Sequence, residues 1–326
     1  MRIPVLVIAT LLIVGSSTSA MAEQQCTLQR YGVVPFETDQ RGHIFIPVTI
    51  AGRATRLLLD TGSYWSVIRR GLVKQLGLKE RSAFYVELRD VNGDRIDKTV
   101  GVASLQVGGL SYGETTFYVA NDIEGLSVEQ EGGLFGHNLL SEIDLEIDNK
   151  NKSISLFSQD HCPGYGVYWA DEAVTLKYKK QPTGQRVASR LKGPSRENQI
   201  DLPIVLADLE GEEVAVLFDT GATFTTIDIE SAKRRFGIGP GSPGVEPAGL
   251  SYAANGDAME TYSYTFKSLS IAGITFENVP VRLAKFNGVA QILLGMNEIK
   301  HLRLYFSFKE GLIHITAADA GSAPAQ

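Results

Sequence analysis

Two short stretches carry residues that could do chemistry. They read LLLDTGSYWSVI over residues 57–68 and VLFDTGATFTTI over residues 216–227. Asp60 and Asp219 each close an apolar run, and each is followed by Thr-Gly. A carboxylate on a tight turn just past a buried strand is partly removed from water. Two such carboxylates brought face to face by a pseudo-twofold cannot both ionise cheaply, so they share one proton and one member titrates high. The charged member can then take a proton from a water held between them, while the protonated member gives one to a carbonyl oxygen. That is general acid–base hydrolysis of an amide, with no covalent intermediate and no metal.

The neighbouring residues suit this task. Gly62 and Gly221 allow a sharp turn and let backbone N–H groups reach the carboxylates. Thr61 and Thr220 offer hydroxyls able to lock one turn against the other. Gly136 and Gly295 each follow two apolar residues, and fit a strand passing so close beneath the turn that a side chain would clash. A single aspartate after an apolar strand is most often a turn or cap residue. The repeat is what argues for chemistry.

The elements that must position these turns repeat as well. The offset that separates Asp60 from Asp219 also separates Gly136 from Gly295, and Asn138 from Asn297. IRRGLVKQLGL and IDIESAKRRFGI each predict a short helix closed by a glycine, Gly77 and Gly237. Asn92-Gly93 and Asn255-Gly256 are hairpin-turn signals. LQVGGLSY (105–112) matches LSIAGITF (269–276) at a slightly larger offset. The chain is therefore expected to be all-β: two copies of one unit, each a closed barrel or sandwich of short strands with a short helix.

The 326 residues allow two medium domains. A formal net charge of -6 provides no basic face for nucleic acid. Histidines 43, 137, 161, 301 and 314 show no metal-ligand spacing, so no metal or other cofactor is expected. Residues 1–22 read as a signal peptide: Arg2, the apolar run Pro4 to Gly15, then Ala20-Met21-Ala22. The run is too short to span a bilayer comfortably. The expectation is export to the periplasm or the medium, with no stable membrane insertion after signal removal. In an oxidising compartment the two cysteines, Cys26 and Cys162, predict a disulfide.

The expected organisation is a signal at 1–22, a first lobe at 23–162, a polar connection and start of the second lobe at 163–199, a second lobe at 200–316, and a disordered tail at 317–326.

The paired motifs resemble the aspartic proteases of the pepsin and retropepsin superfamily, with both lobes on one chain. Asp-Thr-Gly occurs twice, each with an apolar–apolar–Gly partner, Leu134-Phe135-Gly136 and Leu293-Leu294-Gly295, at an identical spacing. In detail each lobe looks more like a retropepsin than half of a pepsin. The resemblance implies a bilobal acid-protease fold of two retropepsin-like barrel lobes, and an endopeptidase that takes peptide or unfolded protein. It makes Asp60 and Asp219 the catalytic dyad, Thr61 and Thr220 the interlobe lock, and the hairpins at Asn92-Gly93 and Asn255-Gly256 the flaps over substrate. A single chain carrying both lobes implies a monomer. A catalytically silent peptide-binding protein of the same fold is the alternative.

The sequence departs from the family in one respect. Retropepsins carry Arg after the glycine and Asp four residues past the catalytic Asp. Here His137 and Met296, Tyr64 and Thr223 hold those positions. Tyr64, Trp65 and Phe224 read equally as subsite walls or packing aromatics. The turns also differ at their fourth position, Ser63 against Ala222. In related enzymes a hydroxyl there donates to the carboxylate, which predicts that Asp60 holds the charge and Asp219 the proton.

Overall fold

The computed structural model describes residues 28–83, 88–89, 95–123, 127–159, 167–178, 202–252, 258–286 and 290–320. The predicted signal at 1–22, Cys26, Cys162, the predicted turns Asn92-Gly93 and Asn255-Gly256, the predicted polar connection from residue 179, and residues 321–326 lie outside the described residues.

Each lobe begins with an antiparallel hairpin that delivers an aspartate to its end. In the first lobe Ile44–Ile50 pairs with Arg53–Leu59, and in the second Ile204–Leu209 pairs with Glu212–Phe218. Thr55, Leu57 and Leu59 alternate inward on one strand, and Val214, Val216 and Phe218 on the other. A period of two turns every second side chain to the core, and Asp60 and Asp219 follow at the strand ends.

After each aspartate the chain makes a short strand, Val67–Arg69 or Thr226–Asp228, and enters a helix, Arg70–Gln75 or Ile229–Phe236. Both helices stop as expected: Gly77 at φ 62° and Gly237 at φ 67° take the left-handed turn that a side chain disfavours. The second helix is also capped at its start, where the Asp228 side chain accepts from Ser231 N at 2.9 Å.

A three-residue strand then threads beneath each turn. Gly133–Phe135 runs parallel to Arg53–Leu59 and antiparallel to Val67–Arg69. Ile292–Leu294 sits identically in the second lobe, parallel to Glu212–Phe218 and antiparallel to Thr226–Asp228. The second barrel closes on itself, because Ile204–Leu209 also pairs with the long strand Ala258–Ile271. In the first lobe the equivalent strand is interrupted into Lys98–Val102 and Leu105–Val107, and the latter makes the closing contact with Ile44–Ile50. The hairpins at 105–112 and 269–276 that match in sequence also match in structure.

A six-stranded sheet joins the lobes. Its order is Arg30–Pro35, Ser153–Phe157, Asp144–Asp148, Leu302–Ser307, Leu312–Ala317, Val174–Lys177. Asp144–Asp148 pairs with Leu302–Ser307 across the lobe boundary. The strand DLEID reads as acidic and exposed, yet all five residues are buried. Arg303 explains part of this: its guanidinium bonds Glu146 Oε1 at 2.5 Å and reaches Asp148 Oδ2 at 3.2 Å. Buried charges persist only when paired in this way.

The tail departs from expectation. Ala317 completes the last strand, Ala318 N donates to His301 O at 2.8 Å, and Ala320 N to Ala317 O at 3.1 Å, so residues 317–320 belong to the fold.

Candidate active site

The two turns meet at the lobe interface, and the threonines hold them together. Thr61 N donates to Thr220 Oγ1 at 3.1 Å, and Thr220 N to Thr61 Oγ1 at 3.1 Å. Each hydroxyl then donates across the interface to the carbonyl before the opposite aspartate: Thr61 Oγ1 to Phe218 O at 2.7 Å, and Thr220 Oγ1 to Leu59 O at 2.7 Å. Both threonines are fully buried, so every one of these bonds is needed to satisfy a polar group away from water.

This lock places each carboxyl group over the glycine of the other turn. A methyl group on Gly62 would collide with the Asp219 carboxyl group, and one on Gly221 would lie 2.5 Å from Asp60 Cγ. Only glycine permits that approach. Backbone amides hold the inner oxygens: Gly62 N and Ser63 N donate to Asp60 Oδ1 at 2.9 Å each, and Gly221 N to Asp219 Oδ1 at 3.0 Å. Both carboxyl groups are closely surrounded by protein yet keep partial contact with solvent.

Burial pushes Asp60 well above the ordinary carboxylate range, and the charge of Asp219 pushes it further. Burial raises Asp219 as well. In its case the amides of Gly221 and Ala222, the hydrogen bond from Asp60 and the charge of His43 all oppose the rise. Both carboxyl groups are thus raised and coupled, the condition under which a pair shares one proton.

The hydrogen bond on which the expectation from Ser63 rests is not present. The serine hydroxyl does not serve Asp60. Ser63 Oγ donates instead to Trp65 O at 3.0 Å, while Asp60 Oδ1 accepts from the backbone amides of Gly62 and Ser63.

Glycines 136 and 295 sit where the sequence places them. A Cβ on Gly136 would lie 2.6 Å from Trp65 C, and one on Gly295 2.5 Å from Phe224 C. The segment after each glycine braces its turn with backbone bonds: His137 N to Ser63 O at 2.8 Å and Asn138 N to Tyr64 O at 3.1 Å; Met296 N to Ala222 O at 2.8 Å and Asn297 N to Thr223 O at 3.1 Å. Two hydroxyls complete the brace, Ser66 Oγ accepting from Gly136 N at 2.9 Å and Thr225 Oγ1 from Gly295 N at 3.1 Å. Asn138 Oδ1 accepts from Ser66 N at 2.6 Å in one lobe, while Thr225 donates to Glu298 in the other. These contacts brace the turns without the Arg–Asp pair of retropepsins. Ser66 and Thr225, at matched positions, could have been found from the repeat itself.

The aromatics separate. Trp65 packs on Tyr118 with ring centroids 5.2 Å apart and planes tilted by 54°, and joins a small cluster with Ile96, at the base of the hairpin Leu88–Arg89/Arg95–Ile96. Tyr64 packs against the cluster of Leu202, Ile204, Leu217 and Ala290. Phe224 remains 42% exposed, with the Arg282 guanidinium 4.5 Å from its ring centroid. The second hairpin rises from Glu246–Tyr252 and Ala258–Ile271.

Comparison with known families agrees with this duplicated geometry. The profile of a gag-polyprotein aspartyl protease matches residues 46–142, and an aspartyl protease profile matches residues 205–297. Each match holds one Asp-Thr-Gly turn and the glycine that passes beneath it. No curated protein sequence matches the chain.

Proposed function

We propose that this chain, an aspartic protease of the retropepsin superfamily with two lobes in one polypeptide, is an endopeptidase whose catalytic residues are Asp60 and Asp219. The observation that carries the reading is the mutual placement of the two carboxyl groups, each over the opposite glycine, where burial raises both above the ordinary carboxylate range. A water lodged between them loses a proton to the ionised member as it attacks the peptide carbonyl. The protonated member donates to the carbonyl oxygen, and the resulting gem-diol collapses with proton transfer to the leaving amine. No covalent enzyme intermediate forms. The hairpins carrying Asn92-Gly93 and Asn255-Gly256 are the proposed flaps, and an extended peptide or unfolded protein is the proposed substrate. Both catalytic turns come from one chain, so the active unit is a monomer.

The test is digestion of unfolded casein by the mature protein across acid to neutral pH. Cleavage that a peptide transition-state analogue blocks supports the reading. Tight binding of the analogue with no cleavage at any pH would instead make the protein a silent peptide-binding module.

Export and a Cys26–Cys162 disulfide belong to the same proposal. Arg30 pairs with Phe157 in the shared sheet, so the chain segments leading to the two cysteines leave from neighbouring strand ends. Intact mass under non-reducing conditions decides both points. The expected mass corresponds to a chain beginning at Glu23 and lacking two hydrogens. A full-length chain, or an unchanged mass on reduction, would remove the respective claim.

A further inference from the structure

The contacts outside the two turns are not symmetric, and the asymmetry has a chemical centre. His43 lies on the first lobe, between the strand Glu37–Thr38 and the strand Ile44–Ile50. Its Nε2 lies 2.9 Å from Thr223 Oγ1, on the second lobe, just past Asp219. Its Nδ1 lies 3.1 Å from Asp39 Oδ2. The other oxygen of Asp39 accepts from Arg41 N and His43 N at 2.9 Å each, which fixes the carboxylate in the turn. The imidazole is 13% exposed. Its loop also rests on the second lobe, since a Cβ on Gly42 would lie 3.7 Å from Met296 Cβ. Thr223 is thus held from two sides, by His43 at its hydroxyl and by Asn297 N at its carbonyl.

The pseudo-twofold counterparts of this pair, found at the offset that relates the two aspartates, are Leu202 and Tyr64, and they meet through apolar packing. A charge-capable side chain therefore stands on the Asp219 side, where its counterpart on the Asp60 side, Leu202, is hydrocarbon. Asp39 fixes the tautomer: with Nδ1–H directed to Asp39, the neutral ring accepts from the Thr223 hydroxyl at Nε2, and the imidazolium donates to it. In the second state a positive charge stands on the partner of Thr223, near enough to Asp219 to lower its pKa. Among the described residues, Asp39 on its own turn bonds the ring, and Asp219 on the turn it faces feels its charge. Glu298, on the short helix Met296–Ile299 against which the loop packs, is turned away to Thr225.

We propose that His43, held by Asp39 and bonded to Thr223 across the lobe interface, is a positioning residue that assigns the dyad its roles, stabilising the anion on Asp219 and leaving the proton on Asp60. The direction of the Coulomb effect of His43 on Asp219 agrees with this assignment. The two aspartates, alike in their Asp-Thr-Gly context and backbone geometry, acquire different roles from a residue that precedes both of them in the chain.

The proposal rests on the dyad reading, so its test includes a measurement that needs no turnover. Carboxyl-carbon NMR titrations of the free protein would be assigned with Asp60→Asn and Asp219→Asn, then repeated in His43→Gln and His43→Leu. Gln keeps a hydrogen-bonding group but no charge; Leu copies the partner side. In the parent, Asp219 is expected to carry most of the first ionisation. In both variants the lower apparent pKa should rise by about half a unit to one unit, the size expected for loss of one partly screened charge nearby. The acidic limb of kcat/KM should move to higher pH by the same amount, with kcat lowered more in Leu than in Gln. Titration curves and rate profiles that overlay the parent in both variants, whatever happens to Tm, would reduce His43 to an interlobe contact and overturn the proposal. So would a first ionisation residing on Asp60. A parent that cleaves no substrate would remove the endopeptidase reading, while the NMR titration would still decide the role of His43.

Discussion

The turn at Asp60 and the turn at Asp219 share a backbone and differ in what surrounds it. The threonine lock, the inner amide bonds, the glycine passing beneath and the bracing hydroxyl are present in both, at distances that agree closely. What differs is one shell further out. Asn138 supports the first turn and Glu298 the second; Tyr64 packs on hydrocarbon, while Thr223 binds His43. The duplicated features are those that bring two carboxyl groups together. The unmatched ones can give an otherwise symmetric pair an acid and a base.

The strongest perturbation of the shared part should come from Gly136→Ala and Gly295→Ala. In each a methyl group meets backbone, not a side chain that can swing aside, at 2.6 Å from Trp65 C or 2.5 Å from Phe224 C. Both substitutions should destabilise the chain by about 3 kcal/mol or more, in the range of severe overpacking. Denaturant unfolding checks this, and the symmetric geometry predicts similar losses in the two lobes. A loss in one lobe and none in the other would break the equivalence.

The shared sheet gives the next effect. Burial raises Asp144 to about 7, against hydrogen bonds from Tyr305 and Ser307 that lower it. A carboxyl group raised in the folded state binds its proton more tightly there than in the unfolded chain. Its contribution to stability is greatest below the unfolded value near 4 and declines as pH rises toward 7. The slope is at most about 1.4 kcal/mol per pH unit for one group. The raised dyad acts in the same direction. Stability should therefore fall between about pH 4 and 7, and Asp144→Asn should flatten part of that fall. A parent more stable at pH 7 than at pH 5 would contradict the assignment.

The smallest effect is expected at the fourth position of the turns. Ser63 spends its hydroxyl on Trp65 O, so Ser63→Ala should leave the pH dependence of kcat/KM within about 0.2 units of the parent, well below one charge-assisted bond to Asp60. A larger shift would restore the serine as a partner of Asp60.

Much of this was legible in the sequence because it is written in the backbone. A glycine under a turn, a glycine ending a helix and a two-residue hairpin each demand a particular residue at a particular spacing, and a duplicated chain states each demand twice. The helix stops at Gly77 and Gly237, the hairpins at 105–112 and 269–276 and the close approach of Gly136 and Gly295 follow from that. The shared sheet was not legible, because DLEID acquires its partners Arg303 and Tyr305 only when distant strands pair. His43 was missed for a related reason. It is unmatched in the repeat, and its contact crosses from one lobe to the other. Ser63 misled because a hydroxyl beside a carboxylate has two acceptors in reach, and the carbonyl of Trp65 wins.

The central claim, that Asp60 and Asp219 work as one pair sharing a proton, is tested most directly by the pH dependence of kcat/KM on a single peptide, measured for the parent and for Asp60→Asn and Asp219→Asn. The account predicts a bell for the parent, its acidic limb marking the first ionisation of the pair and its basic limb the second. Each substitution should leave less than about one per cent of the activity at every pH, since a loss of general acid–base function is worth about a hundredfold or more. A parent profile with a single limb, or either variant retaining a substantial fraction of the activity, would contradict it.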